Sequence, residues 1–223
     1  MLTKLKKRAS ALPLNASRER LQQFAAEAAA VGKDKSFRVL DAGAGRMPYK
    51  RLFSHVTYEA ADLLDHGQEY VCDLADIPVP DDSFDLVFCS QTLEHVTDPV
   101  RVLKELRRVL KPGGEAWMTA PFSYEEHLKP FDYFRYSQFA WQHMAGEAGF
   151  EVEELDWLEG YYAALSYQLQ VAYKALPNSM RWWRFILLHL ARKLAREELT
   201  NAKLKRGLCK NYRVRLRNPA LAT

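Results

Sequence analysis

The chain has 223 residues, with 32 Lys and Arg against 28 Asp and Glu, a formal net charge of +4. Hydrophobic residues make up 48% and charged residues 27%, a composition typical of an ordinary globular protein. Its apolar runs fall well short of the roughly 18 residues that cross a bilayer, and the basic N-terminus lacks the apolar segment of a secretory signal. We therefore expect a single cytoplasmic domain over residues 1–223 that begins with a helical segment at residues 1–35.

A buried strand that runs into a glycine turn is the first informative element. Residues 37–45 read Phe-Arg-Val-Leu-Asp-Ala-Gly-Ala-Gly, with Asp41 at the end of the strand and Gly43 and Gly45 at the bend. Glycine permits positive φ and lets a ligand approach the backbone closely; an ordinary tight turn is the structural alternative. A dinucleotide is disfavoured, because Pro48 stands where the third glycine would be and cannot donate an N–H to a phosphate.

Three further strands follow, each ending near an acidic or polar residue. Residues 56–64 are predicted as a strand, with Asp62 about 20 residues past the glycines, where a carboxylate can accept hydrogen bonds from both hydroxyls of a ribose. A solvated acidic loop is the alternative for Asp62. Residues 69–78 form a third element that contains Asp73, and residues 81–90 form a fourth, buried strand.

A capped helix and a fifth strand complete this half of the chain. After Leu-Glu-His-Val at residues 93–96, Asp98 is a good N-cap and Pro99 a good first helical residue. Apolar residues then recur with helical spacing, and Lys-Pro-Gly-Gly at residues 111–114 is expected to end the helix. Residues 115–120 are predicted as the fifth strand.

These motifs, in this order over residues 39–121, resemble those of the class I S-adenosylmethionine-dependent methyltransferases. The resemblance implies a doubly wound, Rossmann-like α/β fold with a seven-stranded sheet, an antiparallel last strand, and S-adenosylmethionine as the cofactor. This chain departs from many relatives in having Met47 where they carry a further glycine. The resemblance assigns Asp41, Gly43 and Gly45 to the methionine part of the cofactor, Asp62 to the ribose, Asp73 and Leu74 to the adenine, and Gln91 to a place near the reacting centre.

The C-terminal part is predicted to hold two strands separated by a helical insertion. Residues 149–155 and 212–217 are the sixth and seventh strands, and residues 160–208 form the insertion, which we expect to act as a lid. Aromatic residues flanked by basic ones occupy residues 181–193. Such a stripe more often packs on its own domain or on a second copy of the chain, and contact with a membrane surface is the minor alternative. Nucleic acid is disfavoured as a partner, since only the basic tail after Glu198 would favour it.

The acceptor is expected to contact the segment after the fifth strand, residues 121–137, which resembles an "H...P-x-D-Y-x-R-Y" loop of a methyltransferase subgroup. His127 is the first candidate for a catalytic base and His95 the second, because an imidazole can take the proton of a hydroxyl acceptor. The candidate substrate-binding residues are Tyr124, Asp132, Arg135 and Tyr136. Asp132 and Arg135 have a structural alternative, an ion pair that pins the loop.

The sequence thus predicts methyl transfer from S-adenosylmethionine to a small or lipid-linked acceptor, at oxygen. A non-catalytic S-adenosylmethionine-binding or scaffold protein is the alternative from another class, and a nicotinamide oxidoreductase is a third, opposed by Pro48. Methylation of an exocyclic amine of a base is disfavoured, because Cys-Ser-Gln-Thr occupies residues 89–92, where the usual Asn/Asp-Pro-Pro-Tyr clamp would lie. The three cysteines form no metal-like pair, and no metal site is expected.

Overall fold

A computed structural model describes residues 15–201 and 204–220 of the chain. It divides into two compact units. Among the described residues, the larger comprises 21–158 and 211–220, and the smaller comprises 15–20, 159–201 and 204–210. Among the described residues, no helix is both long enough and apolar enough to cross a membrane.

The larger unit is built on a seven-stranded sheet with the strand order β3-β2-β1-β4-β5-β7-β6. The strands are β1 (Arg38–Ala42), β2 (Thr57–Asp62), β3 (Tyr70–Val71), β4 (Phe84–Ser90), β5 (Leu110–Pro121), β6 (Glu151–Trp157) and β7 (Asn211–Arg217). Strands β1 to β5 pair in parallel, whereas β7 runs antiparallel to both β5 and β6. The predicted doubly wound α/β fold with an antiparallel last strand is confirmed. Because the strand order reverses between β1 and β4, a crevice is expected at the carboxyl ends of these strands.

Five helices accompany the strands in the described part of the chain. They are α1 (Ala16–Ala29), α2 (Pro99–Val109), α3 (Gln138–Glu147), α4 (Tyr161–Ala175) and α5 (Arg181–Thr200). The predicted start of α2 is confirmed, because the Asp98 side chain accepts a hydrogen bond from the Arg101 N–H at 3.0 Å and Pro99 is the first helical residue. The predicted N-terminal helical segment contains α1, while residues 1–14 lie outside the described residues.

The end of α2 differs from the prediction. Strand β5 begins at Leu110, immediately after the helix, so the Lys-Pro-Gly-Gly segment lies within a strand rather than in a separate turn. Its residues 111–114 face the single residue Asp85 across the ladder, between the Phe84–Leu110 pair and the Leu86–Glu115 pair. Gly113, at φ 81°, lets the extra residues bulge. The proline and glycines of residues 111–114 do not by themselves predict this bulge, because the bulge depends on pairing with β4.

The core of the larger unit is aromatic and lies against β1, β4 and β5. Phe24 of α1 contacts Trp117 of β5, with ring centroids 5.2 Å apart, and Phe53 contacts Phe88 of β4 at 5.7 Å. These four side chains are 5% exposed or less. Each such ring removes a large apolar area from water, so this cluster holds the sheet and the helix together.

The smaller unit contains α4 and α5, which occupy most of the predicted insertion at residues 160–208. The two helices approach closely, since the Ser166 hydroxyl donates a hydrogen bond to the Ala191 carbonyl oxygen at 2.7 Å. The buried Glu198 carboxylate accepts a hydrogen bond from the Gly160 N–H, also at 2.7 Å, and so fixes the start of α4. The function of this insertion as a lid stays a prediction.

A buried carboxylate stands at the carboxyl end of β1. Asp41 is 3% exposed, and the Tyr58 hydroxyl of β2 donates a hydrogen bond to it at 2.6 Å. Burial disfavours the charged form and the negative charge of Asp62 adds to this effect, so the pKa of Asp41 rises to about 7 although the Tyr58 hydrogen bond opposes the shift. The larger unit therefore holds a carboxylate that is costly to ionise.

We expect Asp41→Asn to stabilise the ligand-free protein more at pH 8 than at pH 5. The pKa of Asp41 is higher in the folded chain than in the unfolded one, so its favourable contribution is complete below about pH 4 and is lost as the pH rises to about 7. The gain in unfolding free energy should be about 2 to 3 kcal/mol larger at pH 8 than at pH 5. Urea unfolding of both proteins at the two pH values measures it. An equal effect of the substitution at both values would contradict the raised pKa.

Candidate active site

The turn after β1 has the backbone conformation that its glycines predict. Gly43 and Gly45 have φ angles of 75° and 50°, and the Gly43 N–H donates a hydrogen bond to the Ala61 carbonyl oxygen at 2.8 Å. A Cβ atom at Gly43 would lie 2.2 Å from Cγ2 of Thr92, whereas a Cβ atom at Gly45 would meet no atom within 4 Å. Gly43 is thus required by a protein contact, while Gly45 faces open space in which a ligand could lie.

The Asp62 carboxylate holds this turn from the end of β2. Its Oδ2 accepts a hydrogen bond from the Gly45 N–H at 2.8 Å, and its Oδ1 accepts one from the Leu64 N–H at 3.0 Å. The structure therefore brings Asp62 together with the glycine turn, a link that sequence spacing alone did not reveal. Each carboxylate oxygen can accept a second hydrogen bond, so these contacts leave room for ribose hydroxyls.

The two residues assigned to the adenine follow β3. Asp73 is exposed, and its Oδ1 accepts a hydrogen bond from the Ala75 N–H at 2.9 Å, which closes a tight turn. Leu74 beside it is 6% exposed and so offers an apolar surface at the base of that turn. The turn is tied to the end of β2, because the Cys72 N–H donates to the Asp62 carbonyl oxygen at 3.0 Å. The proposed adenine and ribose residues thus lie on adjacent strand ends.

Gln91 follows β4 in a strained conformation. Its φ angle is 58°, in the left-handed region that non-glycine residues rarely adopt. Its N–H donates to the Thr119 carbonyl oxygen at 2.9 Å and its side-chain Nε2 donates to the Thr119 hydroxyl at 3.1 Å. Both bonds fix the half-buried amide of Gln91 at the carboxyl ends of β4 and β5. Strain of this kind is often retained at functional sites.

A second group of side chains lies in the loops after β4 and β5. Glu94 is fully buried, and its Oε1 lies 3.7 Å from Nε2 of His95 and 4.0 Å from Nε2 of His127. The two imidazole rings meet edge to face with centroids 4.7 Å apart. In the part of the chain that the structure describes, neither Glu94 carboxylate oxygen has a hydrogen-bond partner. We call these three residues the Glu-His-His cluster.

Backbone carbonyls fix how the two imidazoles are oriented. Nδ1 of His95 lies 2.6 Å from the Phe131 carbonyl oxygen, and Nδ1 of His127 lies 3.3 Å from the Glu125 carbonyl oxygen. A carbonyl oxygen can only accept a hydrogen bond, so Nδ1 is the donor in both rings. Each Nε2 can then present its lone pair to Glu94. The structure therefore brings both predicted catalytic histidines into one group.

Burial dominates the electrostatics of the Glu-His-His cluster. Loss of hydration raises the pKa of Glu94 to about 7, and the negative charge of Asp132 adds to this effect while Arg135 opposes it. Burial also lowers the pKa of His95, and the nearby His127 contributes in the same direction. Sequence analysis missed Glu94, although an acidic residue between apolar neighbours in Leu-Glu-His-Val was a signal that it could be buried.

The loop that carries His127 is held by a bidentate ion pair. Arg135 donates from Nη1 and Nη2 to the two oxygens of Asp132, at 2.7 Å each. Asp132 also accepts a hydrogen bond from the His127 N–H at 2.8 Å, and the Arg135 guanidinium holds the pKa of Asp132 well below its usual range. Asp132 and Arg135 therefore form the ion pair that was the structural alternative to a role in substrate binding.

The two predicted tyrosines have different surroundings. The Tyr124 ring lies 5.1 Å from the His127 ring, edge to face. Tyr136 is buried, and its hydroxyl donates a hydrogen bond to the Leu93 carbonyl oxygen at 2.7 Å, directly before Glu94. Burial raises the pKa of Tyr136 above its ordinary value. Contact of Tyr124, Asp132, Arg135 or Tyr136 with an acceptor stays a prediction.

Part of the chain is similar to known proteins. Residues 14–118 match a methyltransferase domain family. The ubiquinone/menaquinone biosynthesis C-methyltransferase UbiE of Cupriavidus taiwanensis is 38% identical over 82 residues, which cover 35% of this chain and 33% of that protein. The chain therefore spans about a third of the length of this curated relative.

Two solved structures are similar over most of the chain. The [4+2]-cyclase SpnF has a TM-score of 0.59 at 18% identity, covering 90% of this chain and 80% of its own. The Haemonchus contortus phosphoethanolamine N-methyltransferase 2, in complex with S-adenosyl-L-methionine, has a TM-score of 0.57 at 15% identity, covering 92% and 52%. At such low identities these likenesses show a shared fold and nothing further. Residues 14–118 are thus similar to a methyltransferase domain, and the sheet order is that of a Rossmann-like α/β fold.

Proposed function

We propose that the protein transfers a methyl group from S-adenosylmethionine to a hydroxyl oxygen of a small or lipid-linked acceptor. The observation that carries this proposal is the Glu-His-His cluster, in which a fully buried carboxylate faces the Nε2 atoms of two histidines. Its loops follow β4 and β5, so the cluster and the glycine turn lie on the same edge of a parallel sheet.

The cofactor would occupy the open space beside Gly45. In this proposal the methionine part lies along Asp41, Gly43 and Gly45, and the ribose hydroxyls bind the free lone pairs of Asp62. Asp73 would accept from the adenine amine, Leu74 would cover the adenine ring, and Gln91 would lie under the reacting centre. The cationic cofactor also suits the buried Asp41 carboxylate, which lacks a positive partner of its own among its described contacts.

Methyl transfer makes limited demands on the protein. The acceptor oxygen attacks the methyl carbon, the S–C bond breaks, and the sulfonium leaves as a neutral thioether. The protein must align oxygen, carbon and sulfur, an arrangement that can contribute a large effective concentration. A hydroxyl acceptor must also lose its proton, and the Glu-His-His cluster would act at this step. The His127 side chain is 30% exposed and that of His95 16%, so an acceptor reaches His127 more readily.

Methylation at carbon is the second candidate, and the curated relative favours it. UbiE of Cupriavidus taiwanensis is named a C-methyltransferase of ubiquinone and menaquinone biosynthesis. Loss of a proton from a phenol also makes the neighbouring ring carbon nucleophilic, so the same cluster would serve both reactions. Mass spectrometry and NMR of the product from a hydroquinone acceptor distinguish an O-methyl from a C-methyl group.

Ligand binding and turnover separate the proposed function from its alternatives. Calorimetric titration should show micromolar binding of S-adenosylmethionine and S-adenosylhomocysteine and none of NAD. Binding of NAD alone would favour the oxidoreductase. Cofactor binding without methyl transfer to hydroxylated acceptors, including lipid-linked ones, would favour the scaffold protein.

The exposed face of α5 favours a membrane surface as the partner of the smaller unit. Trp182, Trp183 and Phe185 are 70%, 55% and 62% exposed. The same helix presents exposed Lys193 and Arg196, and residues 181–196 contain no acidic residue. Large aromatic side chains beside cations suit the interface of an anionic lipid bilayer. We propose that this face docks there, which would give access to lipid-linked acceptors.

Replacing the exposed aromatics should abolish that docking. We expect the triple substitution Trp182→Ala, Trp183→Ala and Phe185→Ala to reduce co-sedimentation with phosphatidylserine-containing vesicles at least roughly tenfold, because it removes most of the insertable apolar area. Phe139→Ala removes a 69% exposed aromatic from α3 and is the matched control. If the wild-type protein does not co-sediment with such vesicles but elutes as a dimer in size-exclusion chromatography, the face would instead bind a second copy of the chain.

Asp62→Ala should weaken S-adenosylhomocysteine binding by about 1 to 3 kcal/mol, because the ribose hydroxyls would lose a charged acceptor. The substitution also frees the Gly45 and Leu64 N–H groups, so thermal unfolding of the ligand-free variant must be measured alongside calorimetry. Asp65→Ala, at an exposed acidic residue of the same loop, is the control. Unchanged affinity in Asp62→Ala would remove the ribose assignment.

His127→Ala should lower the rate of methyl transfer by roughly 100-fold and leave cofactor affinity nearly unchanged, since His127 would act on the acceptor rather than on the cofactor. Initial rates with a hydroxylated acceptor and calorimetry with S-adenosylhomocysteine measure the two quantities. His143→Ala, on the exposed face of α3, is the matched control. Parallel loss of both quantities would make His127 structural.

A further inference from the structure

We propose that Glu94, His95 and His127 bind a divalent transition metal ion, with Zn²⁺ as the best chemical match. The sequence predicted no metal site, because its three cysteines form no metal-like pair and its two candidate histidines are 32 residues apart. Metal binding itself does not depend on the proposed methyl transfer, whereas its consequence for the acceptor does.

The three ligand atoms already stand near the distances that a metal requires. One atom from each residue lies within 4.8 Å of the other two, and the Glu94 Oε1 distances to the two Nε2 atoms are 3.7 and 4.0 Å. Around a tetrahedral zinc ion, ligand atoms about 2.0 to 2.2 Å from the metal stand roughly 3.4 Å apart. Small side-chain rotations therefore close the site.

The orientation of the imidazoles leaves the centre of the cluster short of positive charge. Both Nδ1 atoms lie against backbone carbonyls and act as donors, so in the neutral form of each ring Nε2 carries a lone pair. They meet a fully buried carboxylate, of which neither oxygen has a hydrogen-bond partner in the described part of the chain. Three acceptors thus converge at distances too long for direct hydrogen bonds. A bound cation would satisfy all of them at once.

The surroundings of the histidines are those of metal ligands. Metal-bound histidines usually donate their other ring nitrogen to a carbonyl or carboxylate, which fixes the ring and raises its basicity. His95 donates to the Phe131 carbonyl, and His127 has the Glu125 carbonyl and the Asp132 carboxylate at 3.3 Å from its Nδ1. Arg135 in turn holds Asp132 in place through two hydrogen bonds.

The ligand set also indicates which metal is bound and what it would do. Two imidazoles and one carboxylate suit zinc and leave a fourth position open, as in catalytic zinc sites, whereas magnesium prefers oxygen ligands. If the proposed function holds, the acceptor hydroxyl would occupy that position. Coordination would lower the pKa of that hydroxyl, so its proton would pass to solvent and the two histidines would serve as ligands rather than as free bases.

Cobalt substitution tests the site without any turnover. Untagged protein is stripped with a chelator and titrated with Co²⁺, and the visible absorption of tetrahedral Co²⁺ is followed. We expect an absorption band that saturates at one equivalent and is displaced by Zn²⁺ but not by Mg²⁺. Glu94→Gln and His127→Ala should each weaken Zn²⁺ binding by roughly 100-fold or more, while His143→Ala should not.

Controls keep metal binding apart from folding and from cofactor binding. Circular dichroism and S-adenosylhomocysteine calorimetry on each variant show whether the fold and the cofactor site persist. Glu94→Gln keeps the shape of the buried side chain and is the variant expected to fold best. Absence of the band in wild-type protein, equal Zn²⁺ affinity in all variants, or binding of Mg²⁺ as tight as that of Zn²⁺ would overturn the proposal. Metal binding with no methyl transfer would contradict the proposed function alone.

Discussion

Burial of carboxylates at the carboxyl edge of a parallel sheet is the constraint on which this site depends. Asp41 and Glu94 lie at or after the ends of β1 and β4, and burial brings the pKa of each to about 7. Removing a carboxylate from water costs free energy, whereas burying an apolar side chain does not. A nearby cation stabilises the charged form of each carboxylate, and both a sulfonium cofactor and a metal ion would supply such a cation.

The strand order of the sheet explains why Asp41 and Glu94 lie at the same edge. Because β1 lies between β2 and β4, the loops after these strands diverge to opposite sides and leave a crevice between them. The glycine turn and Asp62 form one wall of hydrogen-bonded backbone. The turn at residues 93–95 and the loop after β5 carry the three side chains of the Glu-His-His cluster. The two groups come from segments far apart in sequence, yet parallel pairing brings their strand ends to one edge.

The features that sequence predicted are those with local causes. The Asp98 cap, the proline after it and the glycines of the first turn depend on their own backbone, and the order of elements implied the sheet. The features that it missed depend on partners distant in sequence. The Asp62–Gly45 hydrogen bond, the bulge opposite Asp85, and the meeting of Glu94 with His127 each need the folded sheet. No periodicity or spacing encodes such contacts.

The loop after β5 is held by a small set of its own contacts. The Asp132–Arg135 pair fixes its interior, and the Tyr133 N–H and the Tyr136 hydroxyl bind the carbonyl oxygens of Glu94 and Leu93. Two other side chains of this loop, Leu128 and Phe131, are 69% and 61% exposed. They can therefore change without loosening the loop. If this loop contacts the acceptor as proposed, substitutions at these exposed positions would alter acceptor preference without altering the contacts that hold the loop.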